Sequence, residues 1–383
     1  MARARVAVDI GAYSIKMAQI LPGAQGPRLE ILASTRIPPG AVRDGEVVDD
    51  FEVTECIREL MAATGIGRGS RASTCVGGPS VIVKVSAYPG TSANAVRDAA
   101  IEDAAGWAPG GADALIEAHV VPAASAAGTR DVAIAAAARP AVESRVSAVA
   151  KAGLVCDDVD AEPFALLRSL IYASANTALF VRPVAVLQLG ETYGSLTILR
   201  RGAFALYRPI KVAGAALTKA VGRALAIPYP DAEALKETHA ATPGGEPGAA
   251  VVESDRATDA LAPPLLELVG EVRLALNQYA SQYEPEGVGK VEAVLLTGGT
   301  AMLRGLEQYL TQALGTRVFA PGLFDALALD PSAFDPQYLR LCAPSSAGVV
   351  GLALAPFLAS GRYRPAVDPS VFGVVHPRDR QAS

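Results

Sequence analysis

The chain has 383 residues and a formal net charge of −5, which argues against a nucleic-acid-binding protein that depends on a basic surface. It is 51% hydrophobic, enough to bury large cores, and its 5% of aromatic residues is too few for base-stacking platforms. Four cysteines and three histidines are scattered without a C-x-x-C pair, which favours reduced thiols and argues against a zinc site.

The first stretch, residues 6–16, predicts two strands joined by a tight polar turn. Asp9 ends the first apolar run with a carboxylate, and Gly11 lets the backbone bend and a ligand approach closely. Ser14 and Lys16 add a hydroxyl and a cation. Such a turn can hold phosphate oxygens while the acid faces a hydrated metal ion, although for a single D-x-G an ordinary hairpin is the favoured interpretation.

The pattern of the predicted elements changes near residue 81. The pattern predicts a strand at 29–35, a helix at 51–63 with Asp50 as its N-cap, and strands at 72–76 and 81–88. It then predicts a helix at 92–107, strands at 117–121 and 132–137, and a helix at 142–152. The β-α-β-β-α block from residue 81 indicates a small inserted subdomain, and the alternative is a continuous part of one α/β domain.

Acidic residues mark the end of the next predicted strand, at 155–162. Asp160 and Glu162 lie where this strand becomes a helix. An acid at that place caps the helix and suits its dipole. It can also be aimed into a cleft at the end of the strand, and both interpretations can hold together.

Residues 183–199 repeat the opening design of strand, polar turn and strand. Gln188 lies near the end of the first strand, and Gly190 and Thr192 lie in the turn. Internal similarity of this kind carries more weight than either stretch alone. A strand at 204–209 continues the meander, as the strand at 29–35 does after the opening stretch.

The remaining elements are predicted to be mostly helical. Helices are expected at 214–225, from residue 231 and at 265–281, with a loop or weakly ordered insertion between about 241 and 264. Glu233 and Lys236 stand at i, i+3 on one helix face, where a solvated ion pair is the simpler interpretation. A strand at 291–296 runs into Gly298, Gly299 and Thr300 and then a helix, a suitable place for a nucleotide base or phosphate.

These motifs occur in the order of the actin-like ATPase superfamily, which the chain resembles. Asp9–Lys16 resembles its first phosphate loop, 189–196 its second, A-E-A-L-K at 232–236 its nucleoside-contacting helix, L-T-G-G at 296–299 its adenosine motif, and 345–354 the helix returning to the first domain. The resemblance implies an α/β, ribonuclease H-like two-domain fold that binds ATP or ADP with Mg²⁺.

Further pieces resemble the type IV pilus assembly PilM family, relatives of FtsA. They are P-G-A-V at 39–42, D-G-E-V-V-D at 44–49, V-D-A-E-P-F-A-L at 159–166, G-A-A-L-T at 214–218 and E-V-R at 271–273. The resemblance implies a cytoplasmic protein at the inner face of the inner membrane. Its implied partner is the short N-terminal cytoplasmic peptide of a PilN-like inner-membrane protein, held in a groove that involves the inserted, 1C-type subdomain. It also implies self-association into a ring.

The resemblance assigns domains and site residues. The expected domain parts are 1–81, 153–185 and 345–361 for the first actin-like domain, 82–152 for the inserted subdomain, 186–344 for the second domain and 362–383 for a tail. The expected nucleotide-binding residues are Asp9, Gly11, Ser14, Lys16, Gln188, Gly190, Thr192, Glu233, Lys236, Gly298, Gly299 and Thr300. Glu162 is the implied catalytic residue, and Asp9 is the implied Mg²⁺ contact, through water.

Two positions depart from the pattern that the superfamily implies. Gln188 stands where the second phosphate loop usually carries Asp, and an amide lacks the negative charge that helps to hold Mg²⁺ and its waters. Glu191 is a nearby acid that could partly substitute, and Tyr13 is bulky for its turn. We therefore expect nucleotide binding with weak or absent hydrolysis.

Other classes stay open at this point. A sugar or acetate kinase of the same superfamily needs a catalytic Asp for its substrate, and the sequence gives no cue for one. An FtsA-like filament protein usually carries a C-terminal amphipathic membrane helix, which the prolines in 362–383 disfavour. A GspL-like component of type II secretion continues through a membrane span. Here the apolar run at 347–358 contains Pro356 and is too short, so no membrane span is expected.

Overall fold

The computed structural model describes residues 5–23, 26–90, 92–120, 128–174, 181–200, 203–238, 240–242, 252–283, 289–330 and 332–359. The predicted tail at 362–383 lies outside these described residues, as do residues 243–251 of the predicted loop at 241–264. The described part of that loop includes a helix at 252–260, so the prediction of a continuous weakly ordered segment is wrong there.

The elements of the first half are β1 (Val6–Ile10), β2 (Ser14–Gly23), β3 (Gly26–Arg36), β4 (Val42–Arg43), β5 (Glu46–Val47), α1 (Asp50–Thr64), β6 (Arg71–Val76), β7 (Val81–Pro89), α2 (Ala93–Ala104), β8 (Leu115–Val120), β9 (Thr129–Ala137), α3 (Arg139–Ala152), β10 (Val155–Ala161) and α4 (Glu162–Tyr172). Those of the second half are β11 (Val184–Leu189), β12 (Gly194–Arg200), β13 (Ala203–Ile210), α5 (Gly214–Leu225), α6 (Tyr229–Thr238), α7 (Val252–Ala260), α8 (Ala262–Tyr283), β14 (Ala293–Thr297), α9 (Leu306–Leu314), β15 (Arg317–Phe319) and α10 (Pro336–Ala359).

Two five-stranded sheets share one design. The first has the order β3-β2-β1-β6-β10 and the second the order β13-β12-β11-β14-β15. In each, three strands form an antiparallel meander. One later strand pairs parallel with the first strand of the meander, and the last strand pairs parallel with that later strand. The repeat of strand, turn and strand that the sequence shows is therefore a repeat of whole sheets.

A smaller antiparallel sheet, in the order β7-β9-β8, is built by the block between β6 and β10. Helix α2 packs on it and buries Val96 and Ala100 against Val132 and Ile134. The block therefore has a small apolar core of its own, as expected of an inserted subdomain. The exact domain boundaries stay a prediction.

Helix α10 contributes to the core that both large sheets share. The largest apolar cluster joins Ala7 of β1, Val186 of β11 and Leu295 of β14 to buried residues of α4 and α10. By length and composition the segment Pro336–Phe357 could cross a membrane, but 61% of its most apolar stretch is buried in the protein. The sequence predicts a shorter helix here, because Pro344 interrupts the apolar run although it lies inside the helix.

Local corrections concern helix ends. The N-cap of α1 is Asp49, whose Oδ1 accepts a hydrogen bond from the backbone N–H of Glu52 at 3.1 Å; Asp50, the predicted cap, is the first helical residue. The segment after Gly298 is a short 3₁₀ helix, Gly299–Met302, and α9 begins only at Leu306.

Candidate nucleotide-binding cleft

A cavity of about 580 Å³ opens between the ends of the two large sheets. This is the size of a small-molecule site. The residues that the sequence predicts for the site all line it: Asp9, Gly11, Ser14, Lys16, Glu162, Gln188, Gly190, Thr192, Glu233, Lys236, Gly298, Gly299 and Thr300. The structure thus brings together residues up to 291 positions apart, and their individual roles stay predictions.

The turn between β1 and β2 supplies one wall. Asp9 and Lys16 face each other across the antiparallel pair, and the N–H of Gly11 donates to the carbonyl oxygen of Ser14 at 3.1 Å. Lys16 Nζ donates to Ser14 Oγ at 3.0 Å. A carboxylate, a hydroxyl and a cation therefore meet at the end of the hairpin, as the sequence predicts.

The opposite wall is the turn between β11 and β12. The N–H of Gly190 donates to the carbonyl oxygen of Tyr193 at 3.0 Å, which closes the turn. The carbonyl oxygen of Gly190 accepts from the N–H of Gly214, at the start of α5, and from Thr300 Oγ1 at 2.8 Å. The turn is thereby fixed to the N-terminus of α5 and to the 3₁₀ helix after β14.

Two adjacent glycines border the cavity for different reasons. Gly298 has a φ of 92°, and a Cβ there would lie 2.6 Å from the carbonyl carbon of Leu189, so only glycine fits. A Cβ at Gly299 would meet no atom within 4 Å. The space in front of Gly299 is therefore free for a bound group.

At the base of the cleft, Glu162 is held from the other half of the protein. Gln188 Nε2 donates to Glu162 Oε1 at 3.3 Å, and Tyr193 Oη donates to Oε2 at 2.8 Å. Burial, followed by the charge of Asp9, raises the pKa of Glu162 to about 7, although the Tyr193 hydrogen bond works against this rise. Sequence reasoning missed Tyr193, whose ring rests against Gly78, because its partners are distant in the chain.

Glu233 and Lys236 form a buried ion pair, not the solvated one that was the simpler interpretation. Their side chains are 10% and 9% exposed and 2.7 Å apart. Thr218 of α5 donates to Glu233 and accepts from Lys236 Nζ at 2.7 Å. The pair therefore ties α6 to α5 while it lines the cavity.

Tyr13 spans the mouth of the cleft. Its hydroxyl donates to Glu237 Oε1 at 2.5 Å, and Arg36 Nη2 donates to Glu237 Oε2 at 2.6 Å. The Arg36 guanidinium also lies 4.9 Å from the centre of the Tyr13 ring. These three residues join the first turn and β3 to the end of α6, so the bulk of Tyr13 has a structural use.

Glu191 is not placed to replace the missing Asp. It accepts a hydrogen bond from Tyr229 on the α5–α6 side, while Gln188 contacts Glu162. Burial raises the pKa of Glu191. Gln188 Oε1 is a buried atom without a hydrogen-bond partner among the described residues. An unpaired acceptor on a residue that lines the cavity fits a site that takes donors such as metal-bound water.

Apolar side chains near Gly299 were also missed from the sequence. Met302, Tyr338 and Leu341 line the cavity and are 51%, 41% and 58% exposed. Exposed large apolar groups at a cavity rim are typical of ligand sites. In the described residues no three His, Cys, Asp or Glu side chains group as a metal site, so Mg²⁺ would depend on Asp9, phosphates and water.

The paired sheets and the cleft between their turns define an actin-like α/β fold. The chain matches the family described as type IV pilus assembly protein PilM across residues 7–357. It belongs to this family, as the sequence motifs indicate.

Solved structures agree with this assignment. A structure described as a PilM–PilN type IV pilus biogenesis complex aligns with a TM-score of 0.79 and 27% identity, covering 91% of this chain and 97% of that chain. MreB 5 of Spiroplasma citri bound to AMPPNP aligns at 0.52 and 11% identity, covering 94% and 98%. The ethanolamine utilization protein EutJ of Carboxydothermus hydrogenoformans aligns at 0.51 and 16%, covering 92% and 90%. The last two are similar in fold alone.

Proposed function

We propose that this chain is a cytoplasmic nucleotide-binding scaffold of the type IV pilus assembly machinery. One observation carries the nucleotide part: residues from five separate stretches, chosen for phosphate and nucleoside chemistry, line one cavity. The family assignment supports the pilus part. The similar structure described as a PilM–PilN complex supports a PilN-like partner.

ATP or ADP binds with its phosphates between the turns at 9–16 and 190–195. The backbone N–H groups of these turns and Lys16 face the phosphates. The base lies near Gly299, where the space is open and Met302 and Leu341 offer apolar contact. Asp9 holds Mg²⁺ through water, and the ion neutralises phosphate charge.

The nucleotide acts mainly as a structural ligand. Gln188 contacts Glu162 through its amide and brings no charge to the metal, so hydrolysis is slow or absent. A ligand that contacts both halves still stabilises the closed form, in proportion to the logarithm of its concentration over its Kd. Glu162 is the residue that orients water in any turnover that occurs.

The partner peptide binds on the side of the inserted block, residues 82–152. This block carries no phosphate-binding motif, and β8 is an edge strand of its sheet, with unpaired backbone groups that a peptide can use. The protein thereby sits at the inner face of the inner membrane, where copies assemble into a ring. The domain divisions expected from the sequence are part of this proposal.

A titration with ATP and ADP, with and without Mg²⁺, tests the nucleotide site. Gly299→Trp should abolish binding, because its side chain fills the open space without straining the fold. Gly270→Trp is the matched control, since Gly270 lies exposed on α8 with no atom within 4 Å of a Cβ. If Gly299→Trp binds ATP as tightly as the unchanged protein, the site assignment is wrong. A pull-down with the PilN-like cytoplasmic peptide tests the partner separately.

A further inference from the structure

Arg145 of α3 is a cation enclosed behind the first turn of the cleft. It is 2% exposed and does not line the cavity. Its Nη2 donates to the carbonyl oxygen of Ile10 at 3.2 Å, and its Nη1 donates to that of Ala141 at 3.4 Å. Ile10 directly precedes Gly11, so the guanidinium holds the backbone on which the turn is built.

Arg145 has no carboxylate in direct ion-pair contact among the described residues. Within the described parts of the chain no carboxylate lies within 4.0 Å of it, and its Nε, also buried, has no hydrogen-bond partner. Arg168 of α4 is the contrasting case, since it pairs with Asp160 at 2.8 Å. Enclosing a charge without a direct partner is costly. The Arg145 charge therefore lies behind the turn and acts at a distance on the groups of the cleft, among them the carboxyl group of Glu162.

The field of this charge reaches the cleft. The charge of Arg145 works to lower the pKa values of Glu162, Tyr193 and Cys75, although burial dominates and raises all three. Each of these groups lies at the base of the cleft or beside Asp9. An added negative group between the turns would feel the same field.

Helix α3 connects Arg145 to the inserted block. The helix starts directly after β9, the central strand of the small sheet, and Arg139 in its first turn pairs with Asp113 at 2.9 Å. Further along, Ala148 and Val149 pack into the core of the first large sheet. One helix thus touches the small sheet at one end and the phosphate-side turn at its middle.

We propose that Arg145 is a positioning residue through which the inserted block and the nucleotide site affect each other. It fixes the turn at Gly11 through Ile10 and places positive charge behind the phosphates. A shift of α3 when the peptide binds the block moves this contact and changes nucleotide affinity. By linkage, nucleotide then changes peptide affinity by the same factor. The inference rests on the proposed function, because it needs both ligands.

The test measures the Kd of Mg-ATP with and without a synthetic peptide of the PilN-like cytoplasmic segment. In the unchanged protein the peptide should alter the ATP Kd at least about fivefold. Arg145→Met should weaken ATP binding about tenfold, because it removes the charge-assisted hydrogen bond that holds the backbone of Ile10. It should also abolish the effect of the peptide on the ATP Kd. Peptide binding alone should stay unchanged, and Arg145→Lys should keep part of the ATP affinity.

Arg168→Met is the matched control, because it removes another enclosed arginine of the same half. It should keep both the ATP Kd and the coupling within about twofold, since Arg168 contacts the backbone of α10 and not the turn. If Arg145→Met does not fold, the Arg145→Lys variant decides. Coupling that persists in Arg145→Met, or that is undiminished in Arg145→Lys, overturns the inference. So does a protein that binds both ligands without coupling, which leaves the proposed function standing; absence of ATP binding overturns both.

Discussion

Replacing Gly351 with alanine should destabilise the protein, because α10 and α4 touch there through their backbones. A Cβ at Gly351 would lie 2.6 Å from the carbonyl carbon of Ala165 and 3.2 Å from its Cα. The carbonyl oxygen of Gly351 also accepts from Arg168 at 3.0 Å. Any separation of the two helices therefore disturbs a polar contact as well as apolar packing.

The magnitude follows from two opposed effects. Alanine gains about 1 kcal/mol over glycine inside a helix. The atom nearest to the new Cβ would be the carbonyl oxygen of Ala165, well inside van der Waals contact, so the helices must part by about 1.5 Å or more. Such overpacking of a core costs about 1–3 kcal/mol, occasionally more. The overpacking cost less the propensity gain gives a net loss of about 0–2 kcal/mol in the free energy of unfolding, and more where the helices cannot part far enough.

Chemical denaturation of two variants isolates the steric effect. Gly270→Ala makes the same substitution inside α8, at an exposed position with no atom within 4 Å of the new Cβ. It should raise stability by about 0.5–1 kcal/mol. The two variants should therefore shift the midpoint in opposite directions. If Gly351→Ala is as stable as Gly270→Ala, the close approach of α4 and α10 is refuted.

Three further changes address the cleft. The pKa of Glu162 is about 7 in the folded protein and about 4.5 in the unfolded chain, so the free energy of unfolding falls as pH rises through this interval. Glu162→Gln does not titrate and should therefore gain about 3 kcal/mol relative to the unchanged protein between pH 4.5 and 8. A stability difference that does not change with pH in chemical denaturation would contradict this. Gln188→Asp should speed phosphate release about tenfold or more by helping to hold Mg²⁺. Fast ATP hydrolysis in the unchanged protein, abolished by Glu162→Gln, would show that Gln188 does not limit hydrolysis. Tyr13→Phe removes the hydrogen bond to Glu237 and should speed release of a fluorescent ATP analogue about fivefold; an unchanged rate would show that this contact does not limit release.

The sequence predicts the sheets well because their strands alternate or run apolar between glycine-bearing turns. β1, β2 and β11 therefore lie close to their predicted positions. The same turns carry the predicted site residues, because a polar side chain at the end of a strand lies at the edge of the sheet that borders the cleft. The two large sheets have the same strand order, and their arrangement brings the two turns together. No single sequence motif predicts this proximity.

The failures concern contacts between distant parts of the chain and helix boundaries. Tyr193 and Arg145 act through Glu162 and Ile10, whose proximity depends on the packing of α4 and α3. Pro263 and Pro264 favour a loop, yet they occupy the first turn of α8, where a missing N–H costs little. Helix α7 lies in the same predicted loop, and the sequence pattern does not predict it either.

The position of α10 in the chain has a consequence for biosynthesis. Its residues complete an apolar core that includes strands of both large sheets, yet the ribosome makes this helix after all of those strands. Until residues 336–359 have left the exit tunnel, the inner faces of both sheets lack their cover. We therefore expect the nascent chain to expose apolar surface until α10 has been made, and to be prone to aggregation if translation stalls before that point.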